Sequence, residues 1–250
     1  MKKRVFAFLL SALILLLCAC GGKPSASANT YKIIEVGERT LLVTGSEGDF
    51  DLSSVSTEGA RITDEKGREI THSDLRPGMI LELGGCSAPY ETYPGQFDVK
   101  SVRVLKQGGD LVGLYRRVLW ELWENDPALN ENITTIGIDF SGLSNLSEVE
   151  RNALKYTLEC DVWAKTGQFV NVVTGTWQEL CDEGYIDGKN LYWENGVFLS
   201  VAVTKTGERE FTFEAQKWRS GTGAIWFKGC TAKQGKAGQW NYELGDFAIA

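Results

Sequence analysis

The stretch FDVKSVRVLKQGGDLVGLYRRVLWEL, Phe97 to Leu122, changes its period in the middle, and that change decides the fold. Phe97 and Val99 share one parity while Val102 and Val104 share the other, which reads as a strand with a bulge near Lys100-Ser101. Beyond the polar, glycine-bearing break Lys106 to Gly109, the spacing becomes helical. Asp110 is placed to cap a helix whose apolar face is Leu111, Leu114, Tyr115, Val118, Leu119 and Leu122. A domain boundary therefore falls between residues 106 and 110.

Upstream of the break the chain is short strands and turns. Tyr31 to Val36 and Thr40 to Thr44 flank a tight turn at Gly37-Glu38-Arg39, and a loop from Gly45 to Gly48 leads into a polar stretch, Asp51 to Thr57. Ala60 to Thr63 and Arg68 to Ile70 flank Asp64-Glu65-Lys66-Gly67, where Asp first and Gly fourth suit a type I turn. Pro77-Gly78 then turns the chain into an alternating strand, Met79 to Leu83. So many short strands without a long helix predict a small closed all-β barrel, similar to an OB-fold, over residues 30–106.

Downstream the pattern mixes helices and strands. Asn125-Asp126-Pro127 ends the first helix, and Ile133 to Phe140 reads as a strand. Ser147 to Glu150 has capping-box spacing and opens a helix with the stripe Val149, Ala153, Tyr156, Cys160 and Trp163. A short strand, Gln168 to Val173, precedes a second capping box, Thr176 to Glu179, whose helix runs through Cys181 to Gly184. From Leu191 onward the chain is a meander. Asn195-Gly196 signals a hairpin, and the last strand, Gln239 towards Ile249, is expected beside Ala224 to Cys230. Residues 110–250 are thus expected as an α+β domain, with three helices packed on one face of an antiparallel sheet.

The start of the chain carries an address. Lys2, Lys3 and Arg4 precede an apolar run, Val5 to Leu17, of signal-peptide length, and Leu17-Cys18-Ala19-Cys20 resembles the bacterial lipoprotein cleavage pattern. That resemblance implies a signal peptide at residues 1–19, a diacylglyceryl anchor on Cys20, and an extracytoplasmic protein held at the cell membrane. Residues 20–29, small and polar, read as a tether. Asp74-Leu75-Arg76-Pro77-Gly78 before a strand, and Glu91-Thr92-Tyr93-Pro94-Gly95-Gln96 before the next, resemble a family of small lipoprotein domains of unknown function in Bacillus- and Clostridium-type bacteria. The resemblance covers residues 30–105 and implies an architecture and an address, not a reaction.

Charge narrows the partners. The chain has 26 Lys and Arg against 33 Asp and Glu, and loss of Lys2, Lys3 and Arg4 with the leader deepens the net charge from -7 to -10. Nucleic acid is disfavoured, because it calls for a basic surface. Cys86, Cys160, Cys181 and Cys230 remain after Cys18 and Cys20 are set aside. They read as small buried side chains, with Cys160 bridged to Cys181 or Cys230 as the alternative. His72 is alone in a polar turn, Lys205-Thr206-Gly207 lacks the Ser-x-x-Lys nucleophile of penicillin-binding enzymes, and the glycine pairs are too short to cradle phosphate. No cofactor or metal motif is expected. Asp139, at a strand end, is the single acid to consider for carboxylate chemistry, against a turn-capping role.

Aromatic residues carry the stronger functional signal. Tyr90 and Tyr93 sit in a proline-bearing loop at one end of the barrel, and Trp193 and Trp218 lie on the meander. These four are the candidate ligand-binding residues. The sequence therefore favours a non-catalytic binding module for an envelope ligand or protein. A carboxylate hydrolase, or an accessory or substrate-binding component of a transporter, is the alternative.

Overall fold

A computed structural model describes residues 30–45 and 51–250. The expected leader and tether, Cys20 and most of the loop from Gly45 to Gly48 lie outside the described residues. Two seven-stranded sheets divide the chain where the period changes: every strand up to Lys106 belongs to the first, and every strand from Thr135 onward to the second.

The first sheet holds β1 (Thr30–Val36), β2 (Thr40–Gly45), β3 (Leu52–Ser56), β4 (Arg61–Thr63), β5 (Ile80–Gly84), β6 (Gly95–Asp98) and β7 (Ser101–Lys106). Their order is β4-β7-β5-β1-β2-β3-β6, with β4 parallel to β7, β3 parallel to β6 and the other pairs antiparallel. The expected closed barrel is not formed; the ladder is an open path with β4 and β6 at its ends. The end strand β6 is nevertheless a covalent neighbour of β7, the strand next to the other end, because only Val99 and Lys100 separate them. Val99 N donates to Ser56 O at 3.2 Å and Lys100 N to Gly84 O at 2.9 Å, so the chain transfers from β3 to β5 where its parity switches. Ile33, Leu41, Val43, Val55, Leu75, Leu81 and Val102 are among the side chains filling the core between these strands. Arg68 to Ile70 contributes only an isolated bridge, Glu69 to Thr63.

The second half begins with α1 (Leu111–Glu124), then β8 (Thr135–Asp139), α2 (Glu148–Thr166), β9 (Asn171–Thr174) and α3 (Trp177–Asp182). β10 (Gly196–Lys205), β11 (Glu210–Ser220), β12 (Gly223–Gln234), β13 (Trp240–Glu243) and β14 (Asp246–Ile249) follow. Asp110 caps α1, its carboxylate accepting from Gly113 N at 2.8 Å. Both expected capping boxes form: Ser147 N donates to Glu150 at 2.9 Å and Thr176 N to Glu179 at 2.8 Å.

The sheet order is β13-β12-β11-β10-β8-β9, with β14 also on β12. It is mixed rather than antiparallel, since β8 runs parallel to both β9 and β10. Helices α2 and α3 supply the long returns that parallel neighbours need. Asn195-Gly196 consequently makes no hairpin. Asn195 O accepts from Thr134 N at 2.8 Å and Thr135 N at 3.2 Å, which ties the start of β10 to β8. Gly196 is required for another reason: a Cβ there would overlap the Trp193 indole.

Helices cover both faces of this sheet, not one. Ile136, Ile138, Val172, Val197, Leu199, Phe213, Ile225 and Phe227 face α1 and α2. Their neighbours Val173, Phe198, Trp218, Ala224 and Trp226 face the opposite way, into a smaller cluster with Leu180, Ile186 and Trp193 from α3 and the loop after it. This is the period-two alternation of strands buried on both sides.

The two halves meet along α2. Ile34 and Leu52 of the first sheet are buried in the larger core of the second, with Leu42 packed against it. Lys32 bridges to Glu150 at 2.6 Å, and Asn152 donates to Asp51 at 2.9 Å. The buried stripe of α2 is Ala153, Leu154, Thr157, Leu158 and Val162. Cys160, expected in the core, is exposed instead, and all four described cysteines are free thiols.

Candidate functional site

The amphipathic character of α1 sets up a site on its outer side. With the leucine face buried, Arg116, Trp120 and Glu124 lie in one row at four-residue steps, and Arg117 and Glu121 in the next. Asp161 and Lys165, also four apart, project from α2, and Tyr242 from β13. Together they line a groove of about 650 Å³. A second compartment of about 650 Å³ continues past Trp120, Glu124 and Lys165 to Trp123, Pro127 and Asn130. Each lies within the roughly 300–1,000 Å³ of small-molecule sites.

Each charge around the groove has a definable partner or lacks one. Arg116 is fixed by a bidentate pair to Asp161, Nε to Oδ2 at 2.6 Å and Nη2 to Oδ1 at 2.8 Å, and bonds Glu35 across the seam. Its hydrogen bonds to Asp161 hold the guanidinium pKa above its usual value. Arg117 Nη2 donates to Trp240 O at 2.6 Å. The Tyr242 hydroxyl donates to Glu121 at 2.5 Å, and burial, reinforced by that carboxylate, raises the phenol pKa. Lys165 places its ammonium 3.5 Å from the centroid of the Trp120 ring, within cation–π range, and makes no ion pair among the described residues. Trp120 in turn stacks on Trp123, ring centroids 6.4 Å apart and planes 24° from parallel. Glu124 is exposed, with no cationic partner among the described residues.

The residues expected to bind a ligand are not brought together. Trp193, 1% exposed, and Trp218, 8% exposed, are core members on the α3 side. Tyr93 packs edge-on to Tyr156 of α2 at 6.0 Å and belongs to the seam between the halves. Tyr90 is exposed and bridged to Gln96. Asp139 accepts from Ser141 N at 2.8 Å, the turn-capping role. His72 ties two turns together, Nε2 to Gly37 O at 2.9 Å and Nδ1 to Thr57 Oγ1 at 2.8 Å. Cys20 lies outside the described residues.

Trp120, Glu124 and Lys165 are the residues that reading the sequence missed. Their signal was an indole on the polar side of an otherwise well-partitioned amphipathic helix. Among the described residues, no three His, Cys, Asp or Glu side chains converge to hold a metal, and no helix is long and apolar enough to cross a membrane. No protein family matches the sequence, and no curated protein or solved structure matches the chain.

Proposed function

We propose that the protein is a non-catalytic binding module, anchored outside the cytoplasm through an acylated Cys20, whose ligand site is the groove between α1 and α2. The observation that carries this reading is the half-buried Trp120, its ring engaged by Lys165 above an open trough. A flat aromatic wall with a few oriented polar groups is the usual composition of a ligand site. A hydrolase would call for two acids free to act on one bond. Glu121 is already held by Tyr242, and Asp139 by its own turn, which favours binding over catalysis.

The reading is tested with a library of small envelope-derived sugars, peptides and amino acids, scored by thermal shift on the protein and on Trp120→Ala. Compounds that raise the Tm of the first but not the second support the groove. A library without such compounds, or with shifts that survive the substitution, overturns it.

A further inference from the structure

We infer that the ligand of this groove is an amino-sugar chain, with one pyranose ring against Trp120 and a ring ammonium on Glu124. The inference rests on the reading of the groove as a ligand site and names the chemistry that fits it. Lys165 shows what the indole accepts, since a cation already sits 3.5 Å from the centre of its ring. The axial C–H face of a pyranose presents the same sign of partial charge over a larger apolar area, and so takes that place with a gain in burial.

The polar groups select donors. Arg116 is engaged by Asp161 and Glu35, Arg117 by a backbone carbonyl, and Glu121 by Tyr242. Glu124, which lines both compartments, keeps its carboxylate unpaired among the described residues. A ligand with an ammonium donor satisfies Glu124, whereas an anionic ligand meets an unpaired carboxylate and finds an unpaired cation only in Lys165, which the indole already engages.

The shape selects a chain. The two compartments share Trp120, Glu124 and Lys165 in their linings, so they adjoin at the Lys165–Trp120 contact. An extended oligomer occupies both when Lys165 swings away from the ring. Lys165 is thus a latch that competes with the ligand for the indole face.

Isothermal titration calorimetry at low ionic strength tests this with β-1,4-linked tetramers of glucosamine, N-acetylglucosamine and glucose, and with tetralysine as a charge control. The glucosamine tetramer is expected to bind most tightly. Trp120→Ala should weaken it at least tenfold, Trp120→Phe should retain most of the affinity, and Glu124→Gln should reduce it to the level of the glucose tetramer. Lys165→Ala should tighten it about two- to fivefold, the factor expected from an exposed cation–π contact. Circular dichroism melts establish that each variant is folded. The inference is overturned if no tetramer binds at millimolar concentration, if tetralysine binds as tightly as the glucosamine tetramer, or if Trp120→Ala changes nothing. When compounds of the thermal-shift library depend on Trp120 but glucosamine oligomers fail, the amino-sugar assignment falls and the groove stands. When neither binds, both fall.

Discussion

Lys217 Nζ lies 2.7 Å from Asn125 O, and this contact fixes the end of the helix that carries the groove. The same ammonium reaches Trp123 O and Asp126 O, both at 3.1 Å, so its three protons meet three carbonyls where α1 ends; Trp123 O also accepts from Asn130 Nδ2 and Asp126 O from Leu129 N, while Asn125 O depends on the lysine. The side chain is fully buried, on the β11 face that carries Phe211 and Phe213. Arg219, two residues on, binds Leu129 O at 3.1 Å and Glu131 O at 2.8 Å. Sheet and helix terminus are thereby locked, which holds Trp120 and Trp123 in place.

Replacing Lys217 with Met should therefore destabilise the protein by about 1–3 kcal/mol, the cost of leaving the Asn125 carbonyl without a donor. Burial pushes the Lys217 pKa down to about 8, with the Asp126 carboxylate opposing, from an ordinary 10.5. Between these values the unfolded chain binds more protons than the folded one, so the Lys217 contribution to stability rises with pH across that window. Urea denaturation at pH 7.5, 9 and 10.5 should show wild type gaining on Lys217→Met. A constant difference would mean that the buried ammonium does not titrate there.

Glu150 links the seam to the N-terminus of α2. Burial alone would raise its pKa, but the Lys32 ammonium and the Ser147 hydrogen bonds outweigh that and lower it below the ordinary 4.5. Its contribution is present above that value and fades as pH falls through the lowered one. Glu150→Gln keeps the capping geometry but loses the ion pair to Lys32, and should cost up to about 1 kcal/mol at pH 7 and less as the pH falls below 4.5, read from urea curves at pH 7 and at acidic pH.

The C-terminus divides into two parts. Trp240 is buried, 5.1 Å from Phe211 between ring centroids, and Tyr242 packs on Phe213 at 6.3 Å. β14, paired to β12 from Ile225–Ile249 to Lys228–Asp246, leaves Phe247 and Ile249 half or more exposed. Deleting residues 246–250 should leave a cooperative fold with a small loss. Deleting residues 240–250 should remove about 3–5 kcal/mol for Trp240 alone and yield an insoluble or protease-sensitive chain. Equal stability of both truncations would contradict the packing of β13.

Gly196→Ala should cost about 1–3 kcal/mol, because the new methyl meets the Trp193 ring in a filled core. The readout is the urea midpoint, with Gly221→Ala, whose Cβ would have open space around it apart from Leu191, as the comparison.

What was legible in the sequence follows from how local its causes are. The break near Gly108-Gly109, the cap at Asp110 and both capping boxes depend on neighbours within four residues, and they fold as their residue types dictate. The parity switch after Val99 likewise marks where β6 passes to β7. β3 was hidden because Leu52-Ser53-Ser54-Val55-Ser56 reads as polar, although Ser53 is buried. The parallel pairing of β8 with β9 and β10 has no local cause, and the Asn195-Gly196 pair pointed to a hairpin that a distant strand pre-empts. The stripe of α2 was displaced because the helix has two partners. Tyr156 and Cys160 serve the seam with the first sheet, while Leu154, Leu158 and Val162 serve the core. At the groove, sequence identifies Trp120 as an aromatic on a polar face; only the packing of α2 against α1 brings Lys165 over its ring.

The groove itself is tested most directly by fluorine NMR on protein labelled with 5-fluorotryptophan. Its eight tryptophans give eight resonances, and Trp120 is assigned by the signal lost in Trp120→Phe. On titration with the glucosamine tetramer, the Trp120 resonance should move in a saturable way and that of buried Trp193 should stay fixed. A Trp120 signal that does not move while others do would contradict the assignment of this groove as the binding site, and no movement at any concentration of the tetramer would contradict the amino-sugar assignment.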